Sequence, residues 1–103
     1  MTIPDSIQVK LLRERYKQSL PDKSRIIDQH LTTLAKLDSS DEVLLKEIRE
    51  DLHKFAGSSG MYGYTDIASS SREAMTTVDV LNLSELTAQL TELRDLFLSH
   101  ADE

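Results

Sequence analysis

A chain of 103 residues is one domain, long enough to bury a single core without a metal or a disulfide. It contains no cysteine, which excludes disulfide frameworks, thiolate metal sites and thiol catalysis and fits a reducing compartment. Its net charge of −6 argues against a nucleic-acid partner, because phosphate contacts need clustered Lys and Arg.

No run of about 18 apolar residues occurs, so no membrane insertion is expected. The segment from Met1 to Asp5 lacks the basic and apolar regions of a signal peptide, which makes the cytoplasm the expected location. The first predicted helix covers residues 5–19, with Pro4 near its first turn, a place proline tolerates. Its apolar positions include Ile7, Leu11, Leu12, Tyr16 and Leu20. Pro21 interrupts that pattern, so a second helix is expected to begin there and to end near Leu37, with Ile27, Leu31 and Leu34 inside. Ser39 and Glu42 have the spacing of a capping box for a third helix. The inner stripe of that helix is Leu45, Ile48, Leu52, Phe55 and Ser59.

The chain must turn around Met61 to Gly63. A fourth helix over residues 65–79 would bury Ile67, Ser71, Ala74 and Val78, small enough to let a neighbouring helix approach closely. A fifth starts from the cap pair Asn82 and Glu85 and carries Leu83, Leu86, Leu90, Leu93 and Phe97 in a heptad-like seam. That seam lasts only about two heptads, too short for a zipper, so it reads as bundle core and the protein as a monomer. Short connections between helices of similar length imply antiparallel neighbours. The expected architecture is all-α: an antiparallel four-helix bundle, core residues about 21–100, with an additional N-terminal helix.

Within the third helix, His53 lies roughly 115° from the centre of the inner stripe. It therefore stands on the helix shoulder, outside the core. Residues four and seven places on share its side of the helix, and these are Gly57 and Gly60. Arg49 and Lys46 lie on the same side in the preceding turns. An imidazole thus faces cations in one direction and bare backbone in the other. A glycine inside a helix costs about 1 kcal/mol relative to alanine, so two aligned with His53 imply a purpose. The competing reading ends the helix at Gly57 as a C-cap. Periodicity leaves both open.

The run His53, Lys54, Phe55, Ala56, Gly57, Ser58, Ser59, Gly60, with Tyr62 and Gly63 closing the turn and Ile67 in the next helix, resembles the signature of histidine-containing phosphotransfer (HPt) domains. The Leu20-Pro21 break after a tyrosine-containing helix is also similar, and the resemblance covers most of the chain. It implies a four-helix bundle with an additional N-terminal helix and an exposed histidine near the middle of one helix. It implies that His53 is a phosphoryl acceptor, passing the group from and to the aspartate of response-regulator receiver domains, with a hybrid sensor histidine kinase as a further partner. Gly57 and Gly60 would then be clearance for the docked receiver. No cofactor is implied for this chain: Mg²⁺ and the catalytic side chains come from the receiver, so the chain is a phosphocarrier and not an enzyme.

Two positions depart from the family pattern. Many members carry lysine three residues after the histidine, where this chain has Ala56; Lys54, Arg49 or Lys46 are the candidate replacements. Many also orient the imidazole with a polar side chain from the following helix, where this chain has Met75, with Arg72 and Glu73 nearby. Other readings are weaker. His30, His53 and His100 fall on three helices without metal-ligand spacing, and His30 and His100 are expected at the surface. The glycine-rich run lacks the strand and the Lys-Ser/Thr of a phosphate loop, and no Gly-x-Ser-x-Gly elbow occurs. The alternative of another class is a helical interaction module that docks a receiver or other protein without accepting phosphate.

Overall fold

In the computed structural model, which describes residues 5–36 and 41–103, four helices follow one another: α1 (Asp5–Lys36), α2 (Glu42–Met61), α3 (Thr65–Asp79) and α4 (Leu83–Ala101). The separate N-terminal helix expected from Pro21 is not present. Residues on both sides of the proline belong to one 32-residue helix. Proline removes one backbone donor and crowds the carbonyl four residues earlier, yet here it sits exposed while Leu20, Ser24 and Ile27 are buried around it. The stripe Tyr16, Leu20, Ser24, Ile27 keeps helical spacing through the break, so core packing carries the helix across it. Ser24 Oγ also donates to the Pro21 carbonyl at 2.6 Å.

The inner stripes of the other helices are buried as their spacing demands. Leu45, Ile48, Leu52, Phe55 and Ser59 of α2 meet Ile67, Ser71, Ala74 and Val78 of α3, and Leu86, Leu90, Leu93 and Phe97 of α4 complete the core. Phe55 and Phe97 meet edge to face at 5.2 Å. The seam of α4 is thus bundle core. In sequence order around the bundle, α1 packs on α4, α4 on α3, and α3 on α2. The remaining side, α1 against α2, is closed by side chains that hydrogen-bond across it. One pair is His30 Nε2 with Asp51 Oδ2 at 2.6 Å; the other involves Tyr16 and is described below.

Caps follow local chemistry. Asn82 accepts from the Glu85 N–H at 3.1 Å, as the spacing of that pair requires. For α2 the N-cap is Asp41, whose carboxylate accepts from the Leu44 N–H at 2.9 Å. The expected cap Ser39 lies outside the described residues, as do Pro4 and Leu37.

The N-terminal part of α1 does not enter the core. Ile7, Leu11 and Leu12, apolar positions of the first predicted helix, are exposed, and so is every residue from 7 to 15. At 1.5 Å per residue α1 is roughly 48 Å long and α4 roughly 28 Å. Among the described residues, the first turns of α1 carry no buried side chain.

His30 and His100 are not the surface residues the sequence implied; both side chains are mostly covered and paired with carboxylates. His100 faces Asp66 Oδ2 at 2.7 Å through Nε2 and Glu103 Oε1 at 2.9 Å through Nδ1, and its ring meets the edge of Tyr64 at 4.9 Å. It clasps the end of α4 to the start of α3. Burial alone pulls the imidazole pKa down, but the Asp66 and Glu103 carboxylates outweigh it, and the value lies above the ordinary one. Burial alone raises the Asp66 carboxyl, and the His100 and Ile67 hydrogen bonds outweigh that and hold it below its ordinary value.

The signs define a window. A raised His100 contributes stability that is complete below its unfolded pKa of about 6.5 and disappears as pH climbs through the folded value. A lowered Asp66 contributes stability above its unfolded pKa that is lost as pH falls through the folded value. The urea midpoint should therefore decline as pH rises above the unfolded imidazole pKa, and His100→Gln should flatten that decline. A His100→Gln profile parallel to wild type across this range would contradict the assignment.

Candidate functional site

The local sequence places His53 outward. Leu52 and Phe55 are buried on either side of it, and at helical spacing this leaves His53 and Lys54 exposed in the middle of α2. The helix does not stop at Gly57. It continues to Met61, and the residue that terminates it is Gly63, at φ +87°. Gly63 N–H bonds the Gly60 carbonyl at 3.3 Å and Tyr64 N–H bonds the Ser59 carbonyl at 2.8 Å, the paired bonds of a Schellman end. The left-handed conformation that glycine adopts cheaply is needed at Gly63, not at Gly57.

What holds a helix together across two glycines is a hydroxyl chain to α1. The buried Tyr16 hydroxyl lies 2.9 Å from Ser58 Oγ and 2.6 Å from Ser59 Oγ. Ser58 Oγ donates to the Lys54 carbonyl at 2.9 Å. With that proton committed, Tyr16 must donate to Ser58, and Ser59 must donate to Tyr16. The chain runs Ser59, Tyr16, Ser58, Lys54 carbonyl, each hydroxyl donating once. The Tyr16 ring stacks on Tyr62 at 4.8 Å and lies 5.7 Å from Tyr64, with Lys23 Nζ 4.7 Å from its centroid. Periodicity identified Tyr16 as a core residue and gave no sign of its hydroxyl's task, since the partners are more than 40 positions away.

The two glycines differ. A Cβ on Gly57 would meet nothing within 4 Å, whereas one on Gly60 would touch Ala68 Cβ of α3 at 3.8 Å. Gly57 borders open space beside His53; Gly60 lies where α3 approaches.

His53 stands between two shallow clefts. The first, about 260 Å³, is lined by Arg49, Glu50, His53 and Lys54. The second, about 300 Å³, lies between α2 and α3 and is lined by His53, Ala56, Gly57, Arg72 and Met75. Of the cations singled out from sequence, Arg49 is bonded through Nε to Asp79 Oδ1 at 2.9 Å. Lys54 lines the first cleft with Glu50, and Lys46 lines neither. Ala56 is buried and presents a methyl group to the second cleft. Arg72, noted in the sequence only as a neighbour of Met75, shares a cleft with His53. Its position was out of reach of periodicity because it depends on how α3 is set against α2. Among the described residues, no group of three or more His, Asp or Glu side chains is placed to hold a metal, and no helix is long and apolar enough to cross a membrane.

A family model described as the Hpt domain matches residues 11–101 of the chain. No curated protein and no solved structure matches it.

The hydroxyl chain makes Tyr16→Phe informative. Removing the phenol oxygen leaves the buried Ser59 hydroxyl without its partner, an expected loss of about 1–3 kcal/mol in unfolding free energy. Amide hydrogen exchange should accelerate first at residues 58–61. Unchanged protection there would mean that other contacts hold the glycine turns.

Proposed function

The chain belongs to the Hpt domain family, whose members are phosphotransfer modules of two-component signalling, and from that premise we propose that His53 is its phosphoryl acceptor. The observation that carries the reading is the exposed His53 in mid-helix with open space above Gly57 one turn on. A receiver must bring an aspartyl phosphate to within bonding distance of a ring nitrogen, and any side chain at position 57 would stand in its way.

The chemistry asks little of this chain. A ring nitrogen of His53 attacks phosphorus with its lone pair, forming the N–P bond as the aspartyl O–P bond breaks and its electron pair stays on the carboxylate. The other ring nitrogen sheds its proton to solvent, to which the exposed ring is open. Reverse transfer retraces the same steps. Phosphoryl transfer of this kind depends on in-line positioning and charge neutralisation. Mg²⁺ and the acidic pocket belong to the receiver, so this chain acts as a carrier without its own catalytic centre. Receivers and a hybrid kinase are its partners, in the cytoplasm.

Incubation with a receiver domain of the source organism, phosphorylated by acetyl phosphate, should yield an acid-labile, alkali-stable phosphoryl group on this chain. His53→Gln should abolish it without changing the circular dichroism. Tight receiver docking with no transfer from any receiver would instead mark a binding-only module.

Gly57→Gln separates clearance from helix structure. The space above Gly57 admits a side chain, and glutamine is the better helix former. The variant should melt at an equal or higher temperature yet transfer at least tenfold more slowly, an order of magnitude set by misplacement of the reacting groups. A folded variant that transfers at the wild-type rate would show that the receiver approaches from another side.

A further inference from the structure

Phosphorylation of His53 would put a doubly charged group on a protein that is already at −6. The site needs a local cation, and the family's usual position for one is occupied by the buried Ala56. Four basic side chains stand near enough to consider, and geometry separates them. Lys46 is two turns before His53, roughly 10 Å along the helix, and lines neither cleft. Arg49 is paired through Nε with the Asp79 carboxylate. Lys54 lines the first cleft, which it shares with the acidic Glu50.

Arg72 is set apart by the cleft it lines, which holds no acidic side chain. It lines the second cleft with His53, and the other lining residues, Ala56, Gly57 and Met75, carry no charge. Its backbone carbonyl accepts from Thr76 Oγ1 at 3.3 Å, but among the described residues no carboxylate lies within ion-pair distance of its guanidinium. Ala56, Gly57 and Met75 thus bring no polar side chain to the cleft that His53 and Arg72 share. A planar guanidinium can grip two phosphoryl oxygens at once, which an ammonium cannot.

We propose that Arg72 is the phosphate-binding residue of this site, holding the phosphoryl group on His53 from the α3 side of the cleft. The proposal rests on His53 being the phosphoryl acceptor. It relocates the cation from α2, where the family pattern has it, to the facing helix. Arg72 makes and breaks no covalent bond: it neutralises the phosphoryl oxygens while the N–P bond forms and the O–P bond breaks.

The test is single-turnover transfer from an acetyl-phosphate-charged receiver, at several receiver concentrations, for wild type, Arg72→Ala and Arg72→Lys. Arg72 is exposed, so both variants should keep the wild-type circular dichroism and melting temperature. Removing an enclosed charge-stabilising donor slows reactions by about 10²–10³; in this solvent-open cleft the expected loss for Arg72→Ala is on the order of tenfold. The loss should fall on the limiting rate and not on the receiver concentration at half-saturation. Arg72→Lys should recover part of it. The ³¹P resonance of the phosphohistidine should shift in Arg72→Ala, since the phosphoryl oxygens lose a donor. Wild-type rates with an unshifted resonance in Arg72→Ala would overturn the assignment while leaving His53 as the acceptor. A wild-type chain that accepts no phosphoryl group from any receiver would overturn both.

Discussion

The site rests on a hydroxyl relay between α1 and α2. An accessible imidazole needs a bare stretch of helix beside it, and glycine is a poor helix former. Left alone, the last turns of α2 would fray at Gly57, and the open strip would become a loop of no fixed shape. Tyr16 prevents this by bonding Ser58 and Ser59, one on each side of its hydroxyl, while its ring stacks on Tyr62 just past the helix end. The buried face of α2 is held so that the exposed face can be empty.

That arrangement links the length of α1 to the chemistry of α2. Tyr16 reaches Ser58 and Ser59 from a helix that runs unbroken past Pro21, with Leu20 and Ile27 anchored in the core on either side of the proline. The same end of the bundle is fastened by the clasp of His100 on Asp66 and Glu103, and by Lys17 with the Glu103 backbone oxygen. Rigid elements therefore converge on the α2–α3 turn from α1 and α4. His53 and Arg72 lie further along α2 and α3, across a cleft whose walls are these two helices. Charge is distributed to match: the protein is acidic overall, while the cleft shared by His53 and Arg72 contains no acidic side chain.

Much of this was legible residue by residue. The stripes from Leu45 to Ser59, Ile67 to Val78 and Leu86 to Phe97 have spacings that allow only one buried face, and each is buried. The shoulder position of His53 follows from the same arithmetic, because a neighbour of the stripe is turned away from it by geometry alone. Pro21 was misleading because a local rule was applied where packing decides: three turns of buried side chains outweigh one missing hydrogen bond. At Ile7, Leu11 and Leu12 packing decides the other way. Their spacing is amphipathic, but an apolar face is buried only if another helix is long enough to cover it. His30 and His100 look like ordinary polar residues until their carboxylate partners, 21 and 34 positions away, are brought beside them.

By itself the sequence determined the helical class, the inner faces of α2, α3 and α4 and the outward direction of His53. These depend on spacing along one helix, and helical geometry converts spacing into direction without reference to anything else. Only the tertiary structure decided that α2 continues through its glycines, that α1 is one helix, and that Arg72 shares a cleft with His53 while Arg49 is tied to Asp79. Each of these depends on how one helix is set against another, and that registry arises from the packing of side chains far apart in the chain.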